Sequence, residues 1–421
     1  MQSSRRLRIT AAHIAPRPVA NESHALGGDA TVCVTGAAGY VGSWITRLCL
    51  DRGYAVKACV RNVDDERKTA FLKAMPEYAD KLTLHSADMT LEGAYDEIFP
   101  GCHTVFHPAE VFMSCKCSSQ LSSLVCLGPS CCAPSLPPVS QRTELCTVSP
   151  GKDKKAAFAD FAPGGVSRED FPDALHANAM DAAQFLVDSI NRSGTVRRLV
   201  YTASIASMMP GLMEAYIANP AVDERREPLT VPETANGYGP TKRATEHFLS
   251  YEAARSGGQW SVLTGNPADI VGPVLSPHQA TETWQGKIGG IIQGIPSPQE
   301  GNGRPWMLVD ARDVAEAEIL LAESSTVESG ERFCLSSCDQ LFAETIGEHV
   351  MHLYPDIDAA TEVAPGPSGE IVRNNPAWLR AHLRNDKVVE AVGMRFHDFD
   401  DTLRATVDSL IEVGGITPKK K

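Results

Sequence analysis

The chain has 421 residues, 43% apolar and 22% charged, an ordinary globular composition with length for a large core and more than one substructure. Its 39 basic residues against 52 acidic ones leave a formal charge of -13, which argues against a general affinity for nucleic acid or anionic membrane and favours solubility. No stretch approaches the roughly 18–20 uncharged apolar residues that a membrane helix needs.

Residues 1–29 stand apart, with Arg5, Arg6, Arg8 and Arg17 preceding the first acid, Glu22, among serines and alanines. Such a composition is that of a plastid or mitochondrial transit peptide, but Pro16 and Pro18 interrupt any amphipathic helix. A disordered or targeting extension is expected there, with the cytoplasm as the default location. From Thr31 strands and helices alternate as in parallel-sheet proteins. TVCVTG reads as a buried strand, Gly42 to Gly53 as an amphipathic helix closed by glycine, and AVKACVR as a second strand. A charged helix around Glu66 to Met75 follows, then a strand in KLTLHSADM, a short helix in GAYDEIF, and a strand from Cys102 to Ala109.

Residues 114–150 break the pattern. Six of the twelve cysteines (Cys115, Cys117, Cys126, Cys131, Cys132 and Cys146) fall in this Ser-, Pro- and Leu-rich segment, which reads as a low-complexity insertion forming a loop. Without a secretory signal they do not describe a disulfide framework. Paired CxxC clusters and histidines are both missing from the segment, so no metal site is expected. Cys334 and Cys338 read as core thiols. Regularity returns with a helix from Ala174 to Arg192, the strand RRLVYTAS, a long helix over 238–254 that accommodates Pro240 in its first turn, and a strand leaving the sheet in WSVLTGNPADIVGP. Beyond it the α/β period fades, Gly and Pro cluster between Gly286 and Pro305, and helices return at Ala311–Glu323 and Ala343–Tyr354. A doubly wound parallel sheet is expected over 30–265, a smaller unit mainly for substrate over 266–417, and a basic tail over 418–421.

Two strings carry chemistry. TGAAGYVG, Thr35 to Gly42, places Gly36, Gly39 and Gly42 three apart, with Tyr40 and Val41 between the last two, directly after an apolar strand and at the start of a helix. Glycine permits a tight turn and close backbone approach to a pyrophosphate, and the helix start favours its charge. The second strand ends Val60-Arg61-Asn62 with no acid at its tip. An arginine there suits a ribose 2′-phosphate, so NADP(H) is favoured over NAD, with Lys68 as a second cation; the other reading leaves Arg61 solvated and gives the hydroxyl to Asp64 or Asp65. YGPTK places Tyr238 and Lys242 four apart, on one helical face. A cation about 4 Å from a phenol at an effective dielectric near 20 contributes about 4 kcal/mol toward the phenolate, before lysine desolvation, which would bring the phenol toward neutrality as a proton donor. Ser204, at the end of RRLVYTAS, would offer its hydroxyl to a substrate oxygen, although a lone serine there reads as a helix cap.

In order, TGAAGYVGSW, VRN, HSADMT, YTASIASM, YGPTK and NPADIVGP resemble the extended short-chain dehydrogenase/reductase superfamily, of the NAD-dependent epimerase/dehydratase kind. Within it the likeness is to the dihydroflavonol reductase and cinnamoyl-CoA reductase group, from Thr31 to beyond Ser336. The resemblance implies a Rossmann-type sheet with a smaller C-terminal substrate-binding domain, NADP(H), and a Ser-Tyr-Lys set matched by Ser204, Tyr238 and Lys242. It also implies Asp88 and Met89 on the adenine side, and Pro108, Ala109 and Pro267 lining the cofactor. Pro108 stands where the family has a small or aliphatic residue. ETANGYGPTK replaces the NWYCY-type sequence, so a ketone or aldehyde is expected as substrate in place of a thioester. The implied partner is a small-molecule carbonyl or alcohol, with no nucleic acid or membrane, acted on by a monomer or homodimer. The competing readings are an NAD-dependent nucleotide-sugar epimerase or dehydratase, and a non-catalytic NADP-binding regulator.

Overall fold

The computed structural model describes residues 24–109, 174–209, 221–225, 238–300, 303–366, 369–373, 375, 378 and 381–421. The insertion at 114–150, most of the N-terminal extension and the ETANG segment before Tyr238 lie outside them.

Seven strands form one parallel sheet in the order β3-β2-β1-β4-β5-β7-β11. They are β1 (Thr31–Val34), β2 (Ala55–Val60), β3 (Leu82–Ser86), β4 (Thr104–His107), β5 (Arg198–Thr202), β7 (Ser261–Pro267) and β11 (Arg332–Leu335). Such a sheet is buried on both faces, which is why β4, β5, β7 and β11 are buried at every position. The helices α1 (Tyr40–Asp51) and α6 (Ala311–Glu323) cover the face that includes Val32, Val34, Val56, Phe106 and Val200. On the other face α3 (Ala174–Ser193) and α4 (Tyr238–Arg255) pack on Cys33, Cys59, Val105, Leu199 and Tyr201. Alternate strand residues thus feed different layers, as the two-residue period requires. The order reverses between β1 and β4, and ligands of such sheets bind in the crevice beyond that switch point.

The short helix expected in GAYDEIF is instead a run of turns that opens on Gly93, whose φ is +76°. Tyr95 and Phe99 stack there at 4.8 Å and close the core beneath α3. The charged helix expected around Glu66 to Met75 is present as α2 (Glu66–Lys73).

A second core lies C-terminal. The strands β8 (Asp269–Val271), β10 (Trp306–Asp310) and β12 (Cys338–Leu341) form a small mixed sheet. They pack with α5 (Thr283–Ile292), α7 (Ala343–Leu353) and α9 (Phe399–Glu412) around Ile288, Ile292, Trp306, Ile346, Val350, Val407 and Leu410. The expected boundary at residue 265 does not separate the two cores, because α6 and β11 return to the main sheet. Arg198 of β5 secures that return: its Nη1 donates to the carbonyls of Leu321, Ala322 and Ser324 at 3.0, 2.9 and 2.7 Å, satisfying the orphan end of α6. Two-residue pairs, β6 (Ala221–Val222) with β14 (His382–Leu383) and β9 (Ser297–Pro298) with β13 (Val363–Ala364), and the helix α8 (Asp386–Val392) are the remaining described strands and α-helix. The basic tail at 418–421 is held in place: Lys419 donates its N–H to Ile292 and accepts from Asp358, and Lys420 pairs with Asp356. Among the described residues no helix is long and apolar enough to cross a membrane, and no group of three or more His, Cys, Asp or Glu is placed to hold a metal ion.

Candidate active site

The glycine turn leaves β1 and enters α1 at the switch point. Gly36 has φ +61°, which an L side chain rarely adopts, and a Cβ there would lie 3.2 Å from Ala109 Cα. A Cβ on Gly42 would lie only 2.3 Å from the Gly36 carbonyl oxygen, and one on Gly39 would lie 3.1 Å from it. The turn is pinned by Gly39 N–H to Gly36 O at 2.8 Å and Ala37 N–H to Cys59 O at 2.9 Å. The result is a bare-backbone cradle that side chains would fill, which fits a pyrophosphate. Tyr40 packs against the C-terminal core and turns its hydroxyl to the Gly272 carbonyl at 2.6 Å, joining α1 to the C-terminal half, while Val41 packs against the apolar clusters that flank the main sheet. His278 and Gln279 clasp the cradle from that side: His278 Nε2 lies 2.9 Å from Ala38 O, and Gln279 Nε2 donates to Ser43 Oγ at 3.0 Å.

Arg61 stands at the tip of β2, 73% exposed, its Nε 4.0 Å from Asp88 Oδ2. So exposed a pair stabilises the fold little and leaves the guanidinium open to an anion. Burial acts to raise Asp88, but the N–H and hydroxyl of Thr90 and the charge of Arg61 outweigh it and hold the carboxyl below its usual range. Lys68 is exposed on α2, Asp64 is exposed, and Asp65 pairs with Arg67.

Beyond β4, Met89, His107, Ala109, Tyr201, Lys242, Thr241 and Thr245 line a pocket closed on one side by α3. Pro108 stands half-buried between His107 and Ala109, and Pro267 is buried at the end of β7. Lys242 is 4% exposed; its Nζ donates to the Thr202 carbonyl at 3.2 Å and lies 5.2 Å from the Tyr201 ring centre and 5.9 Å from that of Tyr238. Burial is tolerable for this cation because a carbonyl and two aromatic faces surround it. Ser204 caps the short helix Ile205–Ser207 by accepting from the Ala206 N–H at 3.1 Å. The cap role foreseen for a lone serine is therefore present, on the turn against which the helix of Tyr238 abuts: a Cβ on Gly239 would meet Ala206 O at 2.6 Å.

Sequence reading missed the network that fixes this approach. Glu246, one turn beyond Lys242 and 1% exposed, accepts from Ser207 Oγ and Asn266 Nδ2, both at 2.6 Å, and pairs with Arg332 Nε at 2.8 Å and Arg243 Nη1 at 2.9 Å. Asn266 also donates to Ser204 O at 3.2 Å. The i, i+4 spacing of Lys242 and Glu246 was the available signal, but it reads equally as an exposed helical pair.

His107 was missed too. It is 4% exposed and shares a 2.8 Å hydrogen bond with Thr35 Oγ1, joining β1 to β4 beneath the cradle. Desolvation, aided by the charge of Lys242, pushes its pKa down to about 3, so it is neutral in the folded protein. In the unfolded chain a histidine binds its proton near 6.5, so stability is fully present above that pH and falls as pH drops toward 3, by about 1.4 kcal/mol per unit. His107→Gln should flatten that part of the acid limb in urea melts run between pH 7 and 4; an unchanged limb would contradict this assignment.

The NAD dependent epimerase/dehydratase family matches residues 32–121 and 157–335, more than half of the chain. The chain belongs to this family. Among relatives, cinnamoyl-CoA reductase CAD2 of Medicago truncatula is 25% identical over 392 residues, covering 90% of this chain and 95% of that protein. A dihydroflavonol 4-reductase of Callistephus chinensis is 53% identical over 79 residues, 19% of this chain and 22% of that protein. Solved structures of the same fold superpose over most of the chain. Gre2 of Candida albicans in complex with NADPH has a TM-score of 0.62 at 18% identity, covering 91% of this chain and 99% of that one. Vestitone reductase from alfalfa has a TM-score of 0.59 at 20% identity, covering 92% and 99%. The epimerase/dehydratase fold and the likeness to the dihydroflavonol and cinnamoyl-CoA reductases agree with the resemblance drawn from the motifs.

Proposed function

We propose that the protein is an NADP(H)-dependent reductase of a ketone or aldehyde in a medium-sized, aromatic or phenolic metabolite. The chain is an oxidoreductase of the short-chain dehydrogenase/reductase type, in keeping with relatives that are reductases by name. The observation that carries the finer reading is the buried Lys242 ammonium between Thr202 O and two phenol rings, on the helix that begins with Tyr238. When bound, the nicotinamide would supply hydride to the carbonyl carbon. Gly36, Gly39 and Gly42 would hold the pyrophosphate, Arg61 the 2′-phosphate with Lys68 near, and Asp88 and Met89 the adenine side. Ala109, Pro108 and Pro267 would line the nicotinamide half. Tyr238 would give its proton to the substrate oxygen, Ser204 would orient that oxygen, and Lys242 would favour loss of the Tyr238 proton and steady the ribose. The second core around β8, β10 and α5 would cover the substrate.

The cofactor half is tested by calorimetric titration. NADPH should bind more tightly than NADH, and Arg61→Ala should reduce that preference by about tenfold, the loss of one charge-assisted contact. A preference for the 2′-phosphate that survives Arg61→Ala would sink the assignment. The reductase half is checked by carbonyl turnover with the intact chain.

A further inference from the structure

One buried acid takes no part in the site as described. Glu318, on α6, is 0% exposed; its Oε2 accepts from Thr202 Oγ1 at 3.0 Å, and its Oε1 has no hydrogen-bond partner. The space it occupies is kept by glycine, since a Cβ on Gly265 would lie 2.8 Å from that Oε1. Thr202 ends β5. Tyr201, one residue before, faces α3 and α4, so Thr202 turns its hydroxyl to the opposite layer while its carbonyl receives Lys242 Nζ. One strand residue therefore joins a buried acid on one face of the sheet to the buried cation on the other.

The neighbouring charges are engaged elsewhere. Arg52 of α1 pairs with Glu316 and Glu323, Arg312 with Asp310, Asp313 with His397, Arg332 of β11 with Glu246, Lys387 of α8 with Glu331, and Arg198 caps α6. Of the titratable groups around Lys242, His107 stays neutral, and Tyr201 and Tyr238 face it with their rings. Desolvation pushes Glu318 up to about 8, opposed by the Thr202 bond and by Lys242, the one charged group that acts on it among those described.

We propose that Glu318 is a positioning residue for Lys242: through Thr202 it fixes where the ammonium sits, and by ionising it places a negative charge behind it. The inference rests on the reading of Lys242 as part of the reductase site. With Glu318 protonated, Lys242 is the sole charge of the pair; with Glu318 ionised, the ammonium becomes harder to deprotonate.

The test follows Lys242 itself. The full chain carrying 13Cε-lysine is titrated by NMR, with the Lys242 signal assigned from Lys242→Arg. Wild type should show an inflection near pH 8 where Glu318 ionises. In Glu318→Gln that inflection should vanish and the Lys242 midpoint should fall by about half a unit or more. A wild-type Lys242 signal without the inflection, or an unchanged midpoint in Glu318→Gln, overturns the proposal. The variant should fold, since an acid raised from 4.5 to about 8 loses stability as pH rises across that window and glutamine does not. Should it fail to fold, Thr202→Val, which keeps the carbonyl and loses the hydroxyl that favours the ionised acid, should move the inflection to higher pH, and an inflection left at its wild-type pH there overturns the proposal. Neither readout needs turnover: coupling without any carbonyl reduction contradicts the proposed function and leaves this inference standing.

Discussion

Tyr238→Phe should abolish most carbonyl reduction, lowering kcat by about 10²–10⁴-fold, the usual worth of a positioned proton donor and about 3–5 kcal/mol of transition-state stabilisation. The substitution removes only a hydroxyl. The ring that faces Lys242 Nζ at 5.9 Å remains, as does the approach of Gly239 to Ala206, so helix α4 should keep its place. NADPH affinity by calorimetry should stay within about twofold of wild type, because the cradle, Arg61 and Asp88 are untouched. This pairing of lost turnover with retained binding separates an enzyme from a non-catalytic NADP sensor, for which the phenol would be dispensable. Unchanged turnover would refute Tyr238 as the donor.

The second large effect is expected at Gly42. Alanine in a helix interior is intrinsically favoured over glycine by about 1 kcal/mol. Here that gain loses, because the added Cβ would stand 2.3 Å from the Gly36 carbonyl oxygen and 2.9 Å from its carbon, both backbone atoms that move only with the whole turn. Overpacking of this kind costs about 1–3 kcal/mol, and the atoms forced apart are those that would cradle the pyrophosphate. Gly42→Ala should therefore weaken NADPH binding by about tenfold or more and lower the melting temperature. Gly286→Ala, whose Cβ would meet nothing nearer than 3.6 Å, is the matched control and should bind as wild type. Wild-type affinity in Gly42→Ala would mean that the turn is not the phosphate cradle.

The glycine turn and the Tyr238–Lys242 helix were legible because each is a local pattern whose spacing fixes its geometry: three glycines after a strand, and two residues four apart on a helix. The sheet order was less so. β11 is only four residues long and pairs in parallel with β7 across some seventy residues of intervening chain, so nothing local announces its return to the main sheet. Ser204 was legible as a polar strand end, but its capping bond and its tie to Asn266 are tertiary. Glu318 sits in ARDVAEAEILLAE, where an acid reads as the solvated side of an amphipathic helix; its burial follows only from packing against β5 and β7. The same limit hid Glu246, whose four partners come from three separate elements besides its own helix.

The most direct test of the reductase reading is NADPH oxidation by the 421-residue chain against a panel of aromatic and phenolic ketones and aldehydes, with product analysis by mass spectrometry and with NADH and UDP-sugars run in parallel. The expected result is NADPH-dependent formation of an alcohol two hydrogens heavier than its carbonyl, slower with NADH and lost in Tyr238→Phe. Interconversion of a UDP-sugar with no net cofactor oxidation, and no carbonyl reduced, would contradict it.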